Sequence, residues 1–176
     1  MHSPVCQRAR WEWALACAKV LLVLKVGQQA PAFDVSASDG KRIQLEDFRG
    51  KKNVVLYFYP RDFTRVCTQE ACGFRDMYEE LRGQDAEVIG VSLDSDDSHK
   101  KFAVEFKLPF PLVADKNRSI AKSYEVIDLF RGLLGIVKRI TFVIDKQGNI
   151  AQIFHAELSA DAHLEGVRVA LAKLAP

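Results

Sequence analysis

Val54-Val55-Leu56-Tyr57-Phe58-Tyr59-Pro60-Arg61-Asp62-Phe63-Thr64-Arg65-Val66-Cys67-Thr68-Gln69-Glu70-Ala71-Cys72 passes from an almost wholly apolar run into an amphipathic one. The first six residues read as a central strand covered on both faces. Pro60 ends that strand and stiffens the turn. Thr64 is a favoured helix N-cap, and the spacing of apolar residues carries a helix from about Arg65 to Arg82. Cys67 then takes the third helical position, at the positive end of the helix dipole. A thiol held there is made acidic, and the thiolate is its reactive form. The same spacing gathers the Thr64 hydroxyl, free backbone N–H groups and the sulfur around one small volume, suited to a small oxygen-rich substrate.

The charge arithmetic asks for more than the helix. A cysteine with pKa about 8.5 is only a few per cent thiolate at neutral pH. Bringing it to about 6 takes roughly 3.4 kcal/mol. A helix terminus supplies up to about 2 kcal/mol. A nearby cation is expected to supply the rest, and arginine suits the task because it stays charged and donates several fixed hydrogen bonds. Arg61, Arg65 and Arg75 are the local candidates. Arg139 is the distant one, at the start of a strand expected to lie beside Val54 to Tyr59.

Cys72 adds a constraint. Residues five apart in an α-helix lie about 8.7 Å apart at Cα and about 140° apart around the axis. A disulfide needs Cα atoms roughly 4.4 to 6.8 Å apart. Cys67 and Cys72 therefore either never pair or pair only when the first turns unwind. Thr68 and Gly73 lower the cost of unwinding, and an opening once per turnover is the expectation. By itself, a cysteine near a helix start reads as a small buried hydrophobe. Pro60, Thr64 and Cys72 at these spacings favour function. Glu70 reads as an acid complementing the helix dipole, with orientation of Thr68 or an arginine as its other reading. Tyr57, Phe58 and Phe63 read as core or pocket wall.

The surrounding sequence alternates strand and helix. Phe33 to Ser36 and Arg42 to Leu45 flank Ser38-Asp39-Gly40 as a hairpin. Ala86 to Leu93 is a second buried strand. Asp97 to Lys107 is helical, with Asp94, Ser95 or Asp96 as cap. Pro111 to Ala114 is a short strand and Arg118 to Tyr124 a short helix. Arg139 to Asp145 is a strand that turns through Lys146-Gln147-Gly148-Asn149 into Ile150 to His155. A last helix runs from near Ser159 to Leu174. This order predicts an α/β sandwich on a mixed sheet.

The 176 residues suit one domain, expected over residues 24–176. Apolar residues make up 48% and charged residues 27%, with a net charge of +2, which is too weak to imply a nucleic-acid partner. Four cysteines (Cys6, Cys17, Cys67, Cys72) allow a disulfide framework, but a domain this large needs none, so redox or catalytic use is favoured. His2, His99, His155 and His163 are scattered, and no second cysteine pair has ligand spacing, so zinc is not expected.

Residues 1–23 fall outside that domain. Arg8 and Arg10 precede a modest apolar run from Ala14 to Leu24, broken by Lys19 and too short to span a bilayer. Ala14, Ala16 and Ala18 precede its most apolar part, against the order of a secretory signal. The readings are an extension foreign to the natural fold, an amphipathic helix docking on the domain or on a membrane surface, and a targeting segment. Cys6 and Cys17 are expected to be bystanders.

Pro60-x-x-x-Thr64-x-x-Cys67 resembles the active-site signature of peroxiredoxins. Tyr57-Phe58-Tyr59-Pro60, Asp62-Phe63-Thr64 and Cys67 through Asp76 look closely like the bacterioferritin-comigratory, or peroxiredoxin Q, subfamily. The likeness extends from about Leu24 to Leu174. It implies a thioredoxin-like fold, a central mixed β-sheet flanked by helices, with an N-terminal β-hairpin extension. It also implies a thiol peroxidase needing no metal, haem or flavin. Carried over by motif position, Cys67 is the peroxidatic cysteine and Cys72 the resolving one. Thr64 and Arg139 bind peroxide and stabilise the thiolate, and Pro60 shields the pocket. The implied partners are hydrogen peroxide or an alkyl hydroperoxide and a thioredoxin-type dithiol. The expected setting is cytoplasmic, as a monomer or weak homodimer, with no membrane partner. One departure bears on the helix start and on substrate access: the family's Pro-Gly before the peroxidatic cysteine is Arg65-Val66 here. Competing readings are a thiol–disulfide oxidoreductase, disfavoured by the lack of Cys-x-x-Cys, and a non-catalytic binding or chaperone module.

Overall fold

In the computed structural model the described residues are 24–127, 136–155 and 159–174. The readings made for residues 1–23, including Cys6 and Cys17, lie outside them. The apolar run becomes the middle of a five-stranded sheet. Its strand β3 (Asn53–Phe58) is buried at every position. It pairs in parallel with β4 (Ala86–Ser92) and antiparallel with β6 (Ile140–Ile144). β5 (Leu112–Ala114) and β7 (Ile150–His155) form the edges, giving the order β5-β4-β3-β6-β7. The mixed sheet and the N-terminal hairpin, β1 (Asp34–Ser36) with β2 (Arg42–Gln44), match the sequence reading.

Successive residues of a strand point to opposite faces, so a strand buried on both sides must be apolar throughout. Val54, Leu56 and Phe58 enter one core, with Phe33 and Ile43 from the hairpin region and Tyr124. Val55, Tyr57 and Tyr59 enter the other, with Cys67, Phe74, Phe102, Val167 and Leu171. Helices supply that second layer: α1 (Arg65–Asp76), α2 (Tyr78–Gly83), α3 (Asp96–Glu105) and α5 (Ala160–Leu174), with the short α4 (Ser119–Ser123) on the other side. Gly90 sits opposite Tyr57 in the β3–β4 register. A Cβ at Gly90 would lie 2.7 Å from both the Tyr57 hydroxyl and Leu112. The glycine therefore makes room for the tyrosine ring beneath the site.

The long helix from Arg65 to Arg82 is two helices. It breaks at Met77 (φ −97°, ψ 5°). The break turns Tyr78 and Leu81 into the core beside β4, where the Tyr78 hydroxyl donates to Glu87 at 2.6 Å. Periodicity runs through such a bend because both halves are amphipathic. Ser95 is the cap of α3 and accepts from the Ser98 amide at 3.2 Å, one of the three candidates named. Among the described residues no helix is long and apolar enough to cross a membrane.

Candidate active site

α1 buries Cys67, Glu70, Ala71 and Phe74, an i, i+3, i+4, i+7 stripe facing the sheet. Cys67 and Glu70 thus share the inward face, whereas Cys72 is only half-buried. Both thiols are free, and α1 is intact through both. The pairing constraint read from the sequence therefore stands: a bond between them requires the helix to open.

The cation is Arg139. Phe58 faces Ile140 across the β3–β6 ladder, so Arg139 emerges beside the C-terminal end of β3, where α1 begins. Its Nη2 donates to Cys67 Sγ at 3.1 Å. Its Nη1 donates to Glu70 Oε2. Arg139 is 4% exposed, and Cys67 1%. Burial pulls the guanidinium down, but Glu70 and Cys67 outweigh it and raise it above its ordinary value. The local candidates are elsewhere: Arg61 and Arg65 are exposed, and Arg75 pairs with Asp76 and donates to the Phe106 carbonyl.

Glu70 has the role that was its second reading, the arginine's partner. It is fully buried, and burial pushes its carboxyl up to about 7 against the pull of Arg139. Its Oε1 has no hydrogen-bond partner among the described residues; His163 Nδ1 stands 3.5 Å away. That is too long for a hydrogen bond and close enough for electrostatic contact. His163 Nδ1 is also 2.7 Å from Thr141 Oγ1. In the sequence His163 reads only as one of four scattered histidines, and Thr141 only as a strand residue. His163 belongs to the buried stripe of α5 with Val167 and Leu171, and a histidine at such a position was the available signal.

Thr64 is the cap of α1 by backbone geometry (φ −82°, ψ 148°), but its side chain does not cap. Its hydroxyl donates to the Arg61 carbonyl at 3.1 Å instead of accepting a helix N–H. The side-chain cap expected of Thr64 is therefore absent, although Thr64 does stand at the N-cap position. Its lone pairs remain available to an incoming O–H group. Pro60 is half-buried at the head of the same loop. Arg65-Val66 leaves the helix start where Thr64 puts it, since α1 begins at Arg65. A groove of about 300 Å³ between β7 and α5, lined by Phe154, Gly166 and Val169 among others, includes none of the thiol cluster.

Residues 26–153 match the AhpC/TSA family. The chain is 43% identical over 140 residues to the chloroplastic peroxiredoxin Q of Populus jackii, covering 79% of this chain and 64% of that protein, so it spans somewhat under two thirds of that relative. It is 38% identical to a putative peroxiredoxin bcp of Coxiella burnetii, over 82% of this chain and 96% of the other. Among solved structures, the peroxidoxin BcpB of Mycobacterium tuberculosis superposes with a TM-score of 0.79 at 33% identity, covering 86% of this chain and 98% of that one. The bacterioferritin comigratory protein of Xanthomonas campestris, studied for alkyl peroxide reduction, gives 0.77 at 28%, covering 86% and 100%. Sheet order, hairpin and superposition agree on a thioredoxin-like fold, and the chain belongs to the AhpC/TSA family as a peroxiredoxin of the Q/bcp type.

Proposed function

We propose that this protein is a thiol-dependent peroxidase reducing hydrogen peroxide and organic hydroperoxides at Cys67. The observation that carries the reading is the buried Sγ of Cys67 held 3.1 Å from Arg139 Nη2 in the first turn of α1. A fixed guanidinium and a helix N-terminus both face that sulfur, and both favour negative charge developing on it.

The Cys67 thiolate attacks one peroxide oxygen. The O–O bond breaks, an S–O bond forms, and the departing oxygen takes up a proton and leaves as water or alcohol. Arg139 orients the peroxide and stabilises the charge that moves from sulfur to oxygen. The Thr64 oxygen accepts from the peroxide O–H, and Pro60 shields the pocket. Once α1 opens, the Cys72 sulfur displaces the sulfenic hydroxyl as water and forms the disulfide. A thioredoxin-type dithiol then returns both cysteines to thiols by exchange. Such recycling goes with the cytoplasm, which keeps thiols reduced. Residues 24–176 make up the catalytic domain, a monomer or weak homodimer, preceded by the N-terminal extension 1–23.

Peroxide consumption with a dithiol reductant tests the reading. Cys67→Ser should lower turnover by about a thousandfold or more, while Cys6→Ser and Cys17→Ser leave it unchanged. A Cys67→Ser protein consuming peroxide at the native rate rejects the assignment.

A further inference from the structure

The loop joining β3 to α1 is poorly held by itself. Phe63 sits in the left-handed region at φ 59°, which costs a side-chain-bearing residue about 1–2 kcal/mol. The Thr64 cap bond is missing. Besides the Tyr59–Asp62 and Thr64–Arg61 bonds within it, what holds the loop comes from α3 and from the end of β4. Asp62, 3% exposed, accepts the Tyr59 hydroxyl at 2.8 Å on Oδ1. On Oδ2 it accepts Ser98 Oγ at 2.7 Å and lies 2.8 Å from His99 Nδ1. Its amide donates to Asp94 Oδ2 at 2.8 Å. Phe63 adds ring contacts with Phe102 and Phe106, at centroid distances of 5.1 and 6.2 Å.

His99 is fully buried near the start of α3. Its Nδ1 faces the Asp62 carboxylate, and its Nε2 lies 3.3 Å from the Val113 carbonyl. Both partners are acceptors, and only the doubly protonated ring donates to both. The Tyr59 hydroxyl, 3.3 Å from Nδ1, gives its own proton to Asp62. The other charged groups near this pair are Asp96 on the same helix as His99 and, through the loop backbone, Asp94. The arrangement is a buried histidine–carboxylate clasp, with one half in the motif loop and the other in α3.

We infer that Asp62 and His99 are positioning residues that hold the loop and the first turn of α1 folded around Cys67, and thereby set the rate at which Cys67 and Cys72 join. This rests on the peroxidase reading above. Cys67 lies five residues beyond Asp62, so tethering Asp62 to α3 restrains the turn that carries Cys67 and opposes its unwinding. Loosening the clasp therefore acts on the two chemical steps with opposite sign. Attack on peroxide slows, because the Arg139–sulfur geometry is less often assembled. Disulfide formation speeds up, because the sulfenic acid meets the Cys72 thiol sooner, losing one water for each S–S bond formed. A residue that merely supports the fold moves both rates the same way or neither.

The test compares the full-length reduced protein with Asp62→Asn, His99→Leu and His99→Asn. Amide hydrogen exchange at residues 65–68 is measured first, without peroxide. Rapid-quench mass spectrometry after one equivalent of peroxide then times sulfenic acid and disulfide separately. Asp62→Asn and His99→Leu should lose protection at 65–68 by roughly tenfold or more, the scale of one buried charge-assisted bond. Both should form sulfenic acid more slowly and the disulfide faster. His99→Asn places an amide where Nδ1 was and should recover part of each change. If Asp62→Asn does not fold, Ser98→Ala removes one of the three side-chain bonds and should move the same readouts in the same directions by about threefold. Unchanged protection at 65–68 in a folded variant, or disulfide formation slowed together with attack, overturns the inference. The exchange arm needs no peroxide, so the clasp is judged even if the protein consumes none.

Discussion

Two buried carboxylates lie on either side of the segment that carries Cys67, and they stand in opposite electrostatic condition. Asp62 is fully engaged: Tyr59, Ser98 and His99 all reach its two oxygens. Burial raises its pKa, but those bonds outweigh burial and hold it below the ordinary carboxylate range. Glu70 accepts from Arg139 on Oε2, its Oε1 has no hydrogen-bond partner among the described residues, and burial wins, pushing it up to about 7. The difference tracks what each cluster does. The Asp62 cluster closes a loop, and every polar group in it serves that end. In the Glu70 cluster Arg139 donates both to the carboxylate and to the Cys67 sulfur. A fully satisfied network such as that around Asp62 rigidifies what it joins.

The sharpest way to break this comparison is to remove each charge. Asp62→Asn takes the buried carboxylate away from Tyr59, Ser98 and His99 at once and should cost about 3–5 kcal/mol of stability, read by urea unfolding at neutral pH. Arg139→Met should lower the rate of sulfenic acid formation by about 10² to 10³, the loss expected for one preorganised donor at a reacting centre, with the fold retained by circular dichroism.

The pH dependence separates the two carboxylates by sign. Glu70 ionises near 4.5 when unfolded and near 7 when folded. The native state therefore holds the extra proton across that window, and stability should fall as pH rises through it, by on the order of 3 kcal/mol. Glu70→Gln should flatten that slope. Asp62 bends the curve from the other end: its contribution is present above the unfolded value of 3.8 and is lost as pH falls through the lower folded value. Asp62→Asn should remove that acid limb and leave the neutral slope. A neutral slope surviving in Glu70→Gln would place the titration on another group. The smallest effect expected is Tyr59→Phe, which takes one neutral donor from Asp62 and should cost about 1 kcal/mol with the neutral slope unchanged.

The chain made the reactive half of this comparison legible and hid the other. Six buried residues in a row announced the central strand, and Pro60, Thr64, Cys67 and Cys72 announced the thiol. The shortfall in the charge arithmetic pointed past the local arginines to Arg139, which the β3–β6 register brings to the sulfur. Asp62 read only as part of a motif, because its partner lies 37 positions away on another helix. His99 and His163 looked scattered when considered as metal ligands. Their meaning lies in helical phase: His99 is buried alongside Phe102, and His163 alongside Val167 and Leu171, each a polar group set into an apolar stripe. Gly73 was read as easing helix opening. A Cβ there would come within 2.1 Å of Leu164 on α5, so the glycine also permits the close approach of two helices, which propensity alone does not reveal.

The central claim is that Cys67 takes the oxygen and Cys72, five positions along the same helix, removes it. Fully reduced protein given one equivalent of hydrogen peroxide, quenched by alkylation and mapped by mass spectrometry, addresses that claim directly. The account predicts a Cys67–Cys72 disulfide, with Cys6 and Cys17 recovered as alkylated thiols. An oxidised product in which Cys67 is still a thiol, or is joined to Cys6 or Cys17 in place of Cys72, would contradict it.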